Sequence, residues 1–385
     1  MAGESESLLE RLVAFPTVAG HSNLELVEWL SGFLDELGVD HAVLPADRPD
    51  AANLHAVVCP RDAAGVLLAG HTDVVDVEGQ AWSSDPFALR RADGRLHGRG
   101  TADMKGFVAA VLSVLPHAVR TELRRPLHVA LSADEELGCR GVPALLDALE
   151  RLPVRPSWCL VGEPTRMGVA VRHKGKAAAR VRVRGRACHS SAAPEGVNAV
   201  EYAARLITAV SDRGRALMTA EPADSGFSVP TATISVGPVR GGMSLNVVPD
   251  DCVFELEARA LPGQDPQGLL AAALCDARRL KNEMRDIAPE ADIDVEPLAD
   301  YPPLAPADDA APAELAARLA GGGRDLALDF GTEAGLYAER LGVPVVVCGP
   351  GSMEQGHRAD EYIEVDQLAR AETFLYRLVD SLADR

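Results

Sequence analysis

Residue types that bind metal stand at the ends of four short apolar runs. Val66-Leu-Leu-Ala-Gly leads into His71-Thr-Asp73, and Leu127-His-Val-Ala-Leu-Ser-Ala leads into Asp134-Glu135-Glu136. Trp158-Cys-Leu-Val-Gly leads into Glu163, and Val343-Pro-Val-Val-Val-Cys-Gly-Pro-Gly leads, after a loop, to His357. A fifth element, Gly98-Arg-Gly-Thr-Ala-Asp103-Met-Lys-Gly106, is a glycine-punctuated loop that runs into a helix. Imidazoles (His71, His357) and carboxylates (Asp73, Asp103, Glu135, Glu136, Glu163) without a thiolate suit zinc, or a related divalent ion such as cobalt or manganese. One catalytic ion needs about three protein ligands. This set has enough for two ions sharing one bridging carboxylate. Adjacent Glu135 and Glu136 repel one another, which favours cation binding or a raised pKa. One of them then reads as a ligand and the other as a proton carrier.

Each piece alone has a plainer reading. His-x-Asp after a strand is a loose pattern, and an acidic triplet is commonly a solvated charge run. The glycines of Gly98–Gly106 lack the Gly-x-x-x-x-Gly-Lys-[Ser/Thr] order of a phosphate loop, which argues against a nucleotide. His21, His41 and His117 read as surface residues, and His128 as packing along a strand. The joint pattern carries the reading, because each piece falls at the same end of an apolar run. Ligands of open α/β sheets gather outside the carboxyl ends of the strands.

The elements that must position these residues are legible in outline. Apolar runs this short suit strands buried on both faces. Leu8, Leu9, Leu12 and Val13 share one helical face, and Leu24, Leu26, Val27, Leu30, Phe33, Leu34 and Leu37 share another, with Gly38 where a C-cap glycine would sit. Helical segments over Phe107–Val119 and Val142–Leu152 lie between the runs. The alternation predicts an α/β fold with a mostly parallel sheet flanked by helices. From about residue 173 the texture changes to alternating strands over Lys176–Val183, Thr231–Val236, Cys252–Ala260 and Ala291–Val295, with helices over Val197–Val210 and Pro266–Met284. That order is the ferredoxin-like α+β pattern. The expected domains are therefore 1–172 plus 298–385 for the metal-binding part and 173–297 for an insertion.

Composition bounds the function. Of 385 residues, 38 are Lys or Arg and 57 are Asp or Glu, a formal charge of −19. A nucleic-acid binder needs a basic face, and an anionic membrane surface would repel this chain. An apolar content of 47% excludes general disorder. The longest apolar stretches, such as Val66–Ala69 and Val343–Cys348, are strand-sized, so no membrane span is expected. Met1-Ala-Gly-Glu-Ser-Glu has no basic n-region, and the seven cysteines (Cys59, Cys139, Cys159, Cys188, Cys252, Cys275, Cys348) form no Cys-x-x-Cys pair. The expectation is a cytoplasmic protein with buried or incidental thiols.

His71-Thr-Asp-Val-Val75, Gly100-Thr-Ala-Asp-Met-Lys-Gly106, Asp134-Glu-Glu136, Gly162-Glu-Pro-Thr165 and Gly349-Pro-Gly…His357 together resemble the co-catalytic zinc peptidase and deacylase family of acetylornithine deacetylase and succinyl-diaminopimelate desuccinylase. The resemblance covers nearly the whole chain. Arg172-His-Lys-Gly-Lys176, Arg184-Gly-Arg-Ala-Cys-His-Ser190, Gly331-Thr-Glu-Ala-Gly335 and Gly349-Pro-Gly-Ser-Met-Glu-Gln-Gly-His357 look most like the acetylornithine deacetylase branch. The resemblance implies a catalytic domain with an inserted lid and dimerisation domain, and two divalent ions, zinc with cobalt as the alternative. His71 and Glu163 would hold one ion, Glu136 and His357 the other, with Asp103 bridging and the Asp103–Met104 peptide cis. Asp73 would orient His71, and Glu135 would be general base and acid for a hydroxide between the ions. His189 would steady the oxyanion from the partner subunit of a homodimer. Arg259, Asn246 and Thr332 match substrate contacts, and Glu257 stands where many relatives carry Asp.

The implied reaction is hydrolysis of a small-molecule N-acyl amino acid, N-acetyl-L-ornithine giving L-ornithine and acetate in arginine biosynthesis. The alternatives are a desuccinylase, another N-acyl-amino-acid deacylase of a specialised pathway, and a dipeptidase or carboxypeptidase. A non-enzymatic relative should have lost ligands or the base, and all are present here. A nucleotide-dependent α/β enzyme would need the missing phosphate loop.

Overall fold

Four apolar runs of the sequence become the parallel centre of an eight-stranded sheet in the computed structural model, which describes residues 3–58, 62–219, 223–323 and 326–383. Across the sheet the strands run Asp40–Pro45, Ala52–Val58, Leu127–Ser132, Val66–His71, Trp158–Pro164, Val345–Gly349, Ala170–His173 and Leu326–Leu328. Val66–His71 pairs in parallel with Leu127–Ser132 and Trp158–Pro164, and Trp158–Pro164 pairs in parallel with Val345–Gly349. All four are buried along their length. Helices cover both faces, so neither face selects polar residues and the runs read as continuously apolar.

The flanks are antiparallel and were not legible as strands. Asp40–Pro45 lies at the sheet edge and is half exposed. Ala52–Val58 carries Asn53 and His55 inside the protein, each satisfied by a long-range partner. Asn53 donates to the Gly141 carbonyl and accepts from Ala133 N, and His55 pairs with His128. Partners 73 to 88 residues away leave no local pattern.

One face of the sheet packs on helices Glu4–Val13, Leu24–Glu36, Gly106–Arg120, Ala311–Ala320 and Val365–Ala383. Helices Val142–Glu150 and Ala334–Leu341 pack together and against other strands of the sheet. Gly38 takes φ +67°, the left-handed conformation the helix end requires. Among the described residues one helix, Thr101–Arg120, is long and apolar enough to cross a membrane. This apolar stretch is longer than the strand-sized runs expected. Within it, 83% of the apolar window is buried inside the protein, which accounts for its composition. A small sheet of Arg90–Ala92, Arg95–His97 and Tyr362–Glu364 completes the unit.

The chain divides into two compact units: 1–172, 304–328 and 332–385, and a second of 173–303 with 329–331. The second unit has one antiparallel sheet ordered Thr233–Gly241, Asp251–Ala260, Gly175–Arg184, Asp292–Tyr301. Its helices are Ala199–Leu217, Pro266–Ala273 and Ala277–Ile287. Alternation is strict in Asp251–Ala260, where Cys252, Phe254, Leu256 and Ala258 join the core with Leu206, Leu270 and Met284. The single helix expected over Pro266–Met284 is two helices. Leu274 leaves helical dihedrals at φ −92°, ψ 8°, and Arg213 binds Asp276 at the break. The last strand runs to Tyr301 rather than ending at Val295, because pairing resumes after a register shift at Pro297. The second unit therefore extends to 303, past the expected limit of 297.

Cys59 and Met1-Ala2 lie outside the described residues. Cys139, Cys159, Cys252 and Cys348 are buried free thiols, Cys188 is half-buried and Cys275 is exposed.

Candidate metal centre

The parallel register brings the carboxyl ends of the central strands level. His71 lies opposite Ser132, and Gly349 opposite Pro164. Glycine permits this close approach. A Cβ on Gly162 would lie 2.0 Å from Phe107, and one on Gly349 would lie 2.0 Å from the Gly162 carbonyl oxygen. The residues that close or follow each strand then meet at one edge of the sheet.

His71 Nε2 is 3.1 Å from Asp103 Oδ1 and 3.7 Å from Glu163 Oε1. His357 Nε2 is 3.1 Å from Asp103 Oδ2 and 3.1 Å from Glu136 Oε1. Asp103 thus offers one oxygen to each imidazole, the arrangement a bridging carboxylate needs. Among the described residues, two sets have all their donor atoms within 4.8 Å and could hold an ion: His71 with Glu135 and Glu163, and His71 with Asp103 and Glu136. His71, Asp103 and Glu163 are buried, whereas the His357 side chain is 45% exposed. His357 takes φ +61° and Asp134 φ +51°, conformations sparsely populated by non-glycine residues that concentrate at functional sites.

The electrostatics are those of carboxylates crowded out of water. Burial pushes Glu135 up to about 8 and Glu136 up to about 7, and it raises Glu163 well above the ordinary carboxylate range. Asp103, despite its burial, is pulled below that range by hydrogen bonds from His357 and His71. His357, although partial desolvation works against it, is raised to about 11 by Asp103 and Glu136. Such a group holds protons where a divalent cation would otherwise sit, and cation binding would displace them. The mixed nitrogen and oxygen donors fit zinc and its neighbours.

Supporting contacts fix these side chains. His71 Nδ1 lies 2.9 Å from the Asp73 carbonyl oxygen, and the Asp73 carboxylate is farther, at 3.6 Å. The nearer contact to His71 is therefore the Asp73 carbonyl, with the carboxylate behind it. The Asp73 carboxylate instead accepts the backbone N–H groups of Glu135 and Glu136, both at 3.0 Å, and so holds the acidic loop. Asp134 is not a ligand candidate either. It is buried and accepts from Gly20 N and Arg48 Nε. The Asp103–Met104 peptide is cis, as the resemblance implies.

Three buried groups here escaped the sequence reading. Glu361 accepts from Gly100 N, Ala102 N, Asp103 N and Arg99 Nη1, and so holds the Asp103 loop from 258 residues away. Cys139 Sγ donates to Glu135 Oε1 at 3.3 Å. Glu333, which burial raises to about 7, accepts from Ser132 Oγ at 2.7 Å. Arg99, standing within the quoted Gly98–Gly106 loop, is the one local signal for a buried anionic partner.

The remaining candidates are Thr332 in the first unit and His189, Asn246 and Arg259 in the second. Thr332 is fully buried and its Oγ1 accepts from Ala334 N, two residues on, in a local turn. His189 and Asn246 are both exposed and neighbour each other, with Ser190 N donating to the Asn246 carbonyl. Arg259 donates to Glu257 at 3.0 Å and to the Tyr301 hydroxyl at 3.3 Å. Glu257 thus retains the charge expected beside the arginine.

Residues 67–381 match Peptidase family M20/M25/M40. An acetylornithine deacetylase from Myxococcus xanthus is 33% identical over 384 residues, covering 96% of this chain and 95% of that protein. An M20 family metallo-carboxypeptidase from Sulfolobus solfataricus superposes with a TM-score of 0.79 at 18% identity, over 99% of this chain and 100% of the other. A dinuclear metal binding peptidase of the M20 family from Bacillus subtilis superposes with a TM-score of 0.64 at 17% identity, over 97% and 96%.

Proposed function

This chain belongs to Peptidase family M20/M25/M40, and from that premise we propose that it hydrolyses the amide of an N-acyl amino acid, with N-acetyl-L-ornithine as its substrate. The observation that carries the reading is the Asp103 carboxylate set between His71 and His357, 3.1 Å from each, with Glu163 and Glu136 beyond them. In this proposal His71 and Glu163 would hold one divalent ion, Glu136 and His357 would hold a second, and Asp103 would serve both. Zinc fits the donors, and cobalt is the alternative. The ions would supply Lewis acidity toward the acyl carbonyl and lower the pKa of water at the site.

The chain's own residues supply the rest. Glu135 takes the proton of the attacking water and returns it to the leaving amine. Its burial and raised affinity for a proton suit both halves of that cycle. Asp73 fixes the loop that carries Glu135, and Cys139 donates to the Glu135 carboxylate. Arg259, held by Glu257 and Tyr301, would clamp the α-carboxylate. Asn246 and Thr332 would complete the substrate contacts.

The second unit, as lid and dimerisation domain, would bring His189 to the reacting carbonyl of a partner subunit. Its sheet ends in the edge strand Thr233–Gly241, and the loop beyond leaves Met243 and Leu245 fully exposed, features that a homodimer contact would cover. The free thiols among the described residues support a reducing, cytoplasmic setting. The relative from Myxococcus xanthus supports the acetylornithine assignment within the family.

The test is a hydrolysis panel of acetyl-, succinyl- and formyl-amino acids together with dipeptides, run on purified protein with zinc or cobalt. Preferred turnover of N-acetylornithine is the expected result. Preferred turnover of a succinyl substrate or a dipeptide would replace the substrate assignment, and inertness to all of them would overturn the enzymatic reading.

A further inference from the structure

One thiol of the first unit is placed against the residue that would carry protons. Cys139 is 1% exposed, and its Sγ donates to Glu135 Oε1 at 3.3 Å. Among the described residues this is the one side-chain hydrogen bond to the Glu135 carboxylate. The turn that brings the two together is closely fixed. Asn53 spans it, accepting from Ala133 N at 2.9 Å and donating to the Gly141 carbonyl at 2.9 Å. The Asp73 carboxylate accepts the Glu135 and Glu136 N–H groups. Within the turn, Gly138 N and Cys139 N both donate to the Glu135 carbonyl, at 2.8 Å and 2.7 Å. The chain thereby curls back and sets position 139 beside the Glu135 side chain.

The backbone at position 139 is a second, independent observation. Two left-handed residues in succession make the curl, Gly138 at φ +87° and Cys139 at φ +60°. Glycine adopts that region freely, and a residue with a Cβ does so at a cost in free energy. Glycine fills the first position. The second keeps a side chain where glycine would be the less strained choice, and that side chain meets Glu135. Strain of this kind concentrates at functional sites. Burial and the neighbouring Glu135 and Glu333 push the Cys139 thiol well above its ordinary range, so it keeps its proton and remains a donor.

Glu135 has two possible fates in the crevice. Its carboxylate stands with His71 and Glu163 in a set able to hold an ion, so it could ligate that ion or stay free to exchange a proton. We propose that Cys139 is a positioning residue that decides between them. The thiol engages Oε1, and Glu135 serves the proton step through Oε2 instead of becoming a further ligand beside His71 and Glu163. The inference rests on Glu135 as the acid–base group of the proposed hydrolysis. The backbone adds a consequence. Glycine at position 139 would relax the turn and remove the donor, so this position sets stability against rate.

Three substitutions test this on the zinc-loaded protein, with N-acetylornithine as substrate. Cys139→Ala should lower kcat about fivefold to tenfold, the worth of one weak hydrogen bond, with KM unchanged. Zinc affinity, measured by competition with a chelator, should hold or rise, because Glu135 is freed toward the ions. Cys139→Ser restores a donor and should recover most of the rate. Cys139→Gly should be as slow as Cys139→Ala, with a Tm at or above it. A further readout needs no substrate. The thiol S–H stretch falls in an infrared window free of other protein bands, and a difference spectrum against Cys139→Ala isolates it. That band should move to the frequency of an unbonded thiol in Glu135→Ala. A band unmoved by Glu135→Ala, kcat that follows Tm across the three variants, or zinc affinity that falls together with kcat would overturn the proposal and leave the amide-hydrolase reading standing. Glu135→Gln as active as wild type would overturn both.

Discussion

The strand-end crevice of the first unit and the open sheet face of the second carry charge in opposite ways. On the second unit's sheet charges are paired with opposite partners across the strands: Arg180 with Glu255, Arg182 with Asp251, Arg184 with Asp294 and Lys176 with Glu257. These pairs are mostly exposed, so water screens them and their neutrality is local. In the crevice, Asp73, Asp103, Glu135, Glu136 and Glu163 are all largely withdrawn from water, and the cationic groups nearest them among the described residues, such as His71 and His357, are fewer than the carboxylates. The contrast teaches how to apportion a formal charge of −19. Carboxylates balanced at the surface are solvating. Carboxylates buried without balance mark a place for a cation.

The comparison breaks first at Glu135. Glu135→Gln should lower kcat by about 10²–10⁴-fold, the usual worth of a positioned acid–base group, while metal content and Tm stay as in wild type. Asp73→Asn should come next. Its carboxylate holds the Glu135–Glu136 loop, so metal affinity measured by competition with a chelator should fall about 10–100-fold. Arg259→Ala should raise KM at least about tenfold with a smaller change in kcat, from loss of a charge-assisted bond worth about 1.5–3 kcal/mol.

How far these sites were legible depends on whether their partners are local. His71 and Glu163 close apolar strands and the Asp134–Glu136 run follows one, so an alternation of runs and ligand types was enough to group them. Asp103 needed only the glycine pattern of its loop. Glu361 stands far from any apolar run that could signal it, and its role depends on folding back across 258 residues onto Asp103 N. The flanking strand Ala52–Val58 was hidden for the same reason, because Asn53 and His55 look polar until their partners are known. Sequence cannot show which oxygen of Asp73 stands nearer His71, the carbonyl at 2.9 Å or the carboxylate at 3.6 Å.

Smaller effects sharpen the contrast. Glu135, Glu136 and Glu333 have folded values raised to about 8, 7 and 7 from an ordinary 4.5, so the metal-free fold binds protons that the unfolded chain releases. A raised folded pKa gives stability that is lost as pH rises through it. Tm of the metal-stripped protein should therefore fall between pH 6.5 and pH 8, and saturating zinc should flatten that slope. Below pH 6.5 the buried His55, His128 and His173, each pushed down to about 4, act in the opposite direction. The smallest effect belongs to the second unit. Arg180→Ala removes one partner of an exposed pair and should leave Tm unchanged within error.

The most direct test of the strand-end metal centre is metal add-back. Protein stripped by a chelator is titrated with zinc while acetate release from N-acetylornithine is followed. The expected result is negligible hydrolysis without metal, with activity returning as zinc is added and reaching a plateau at a defined stoichiometry. Undiminished hydrolysis by the stripped protein, or activity unaffected by any divalent ion, would contradict it.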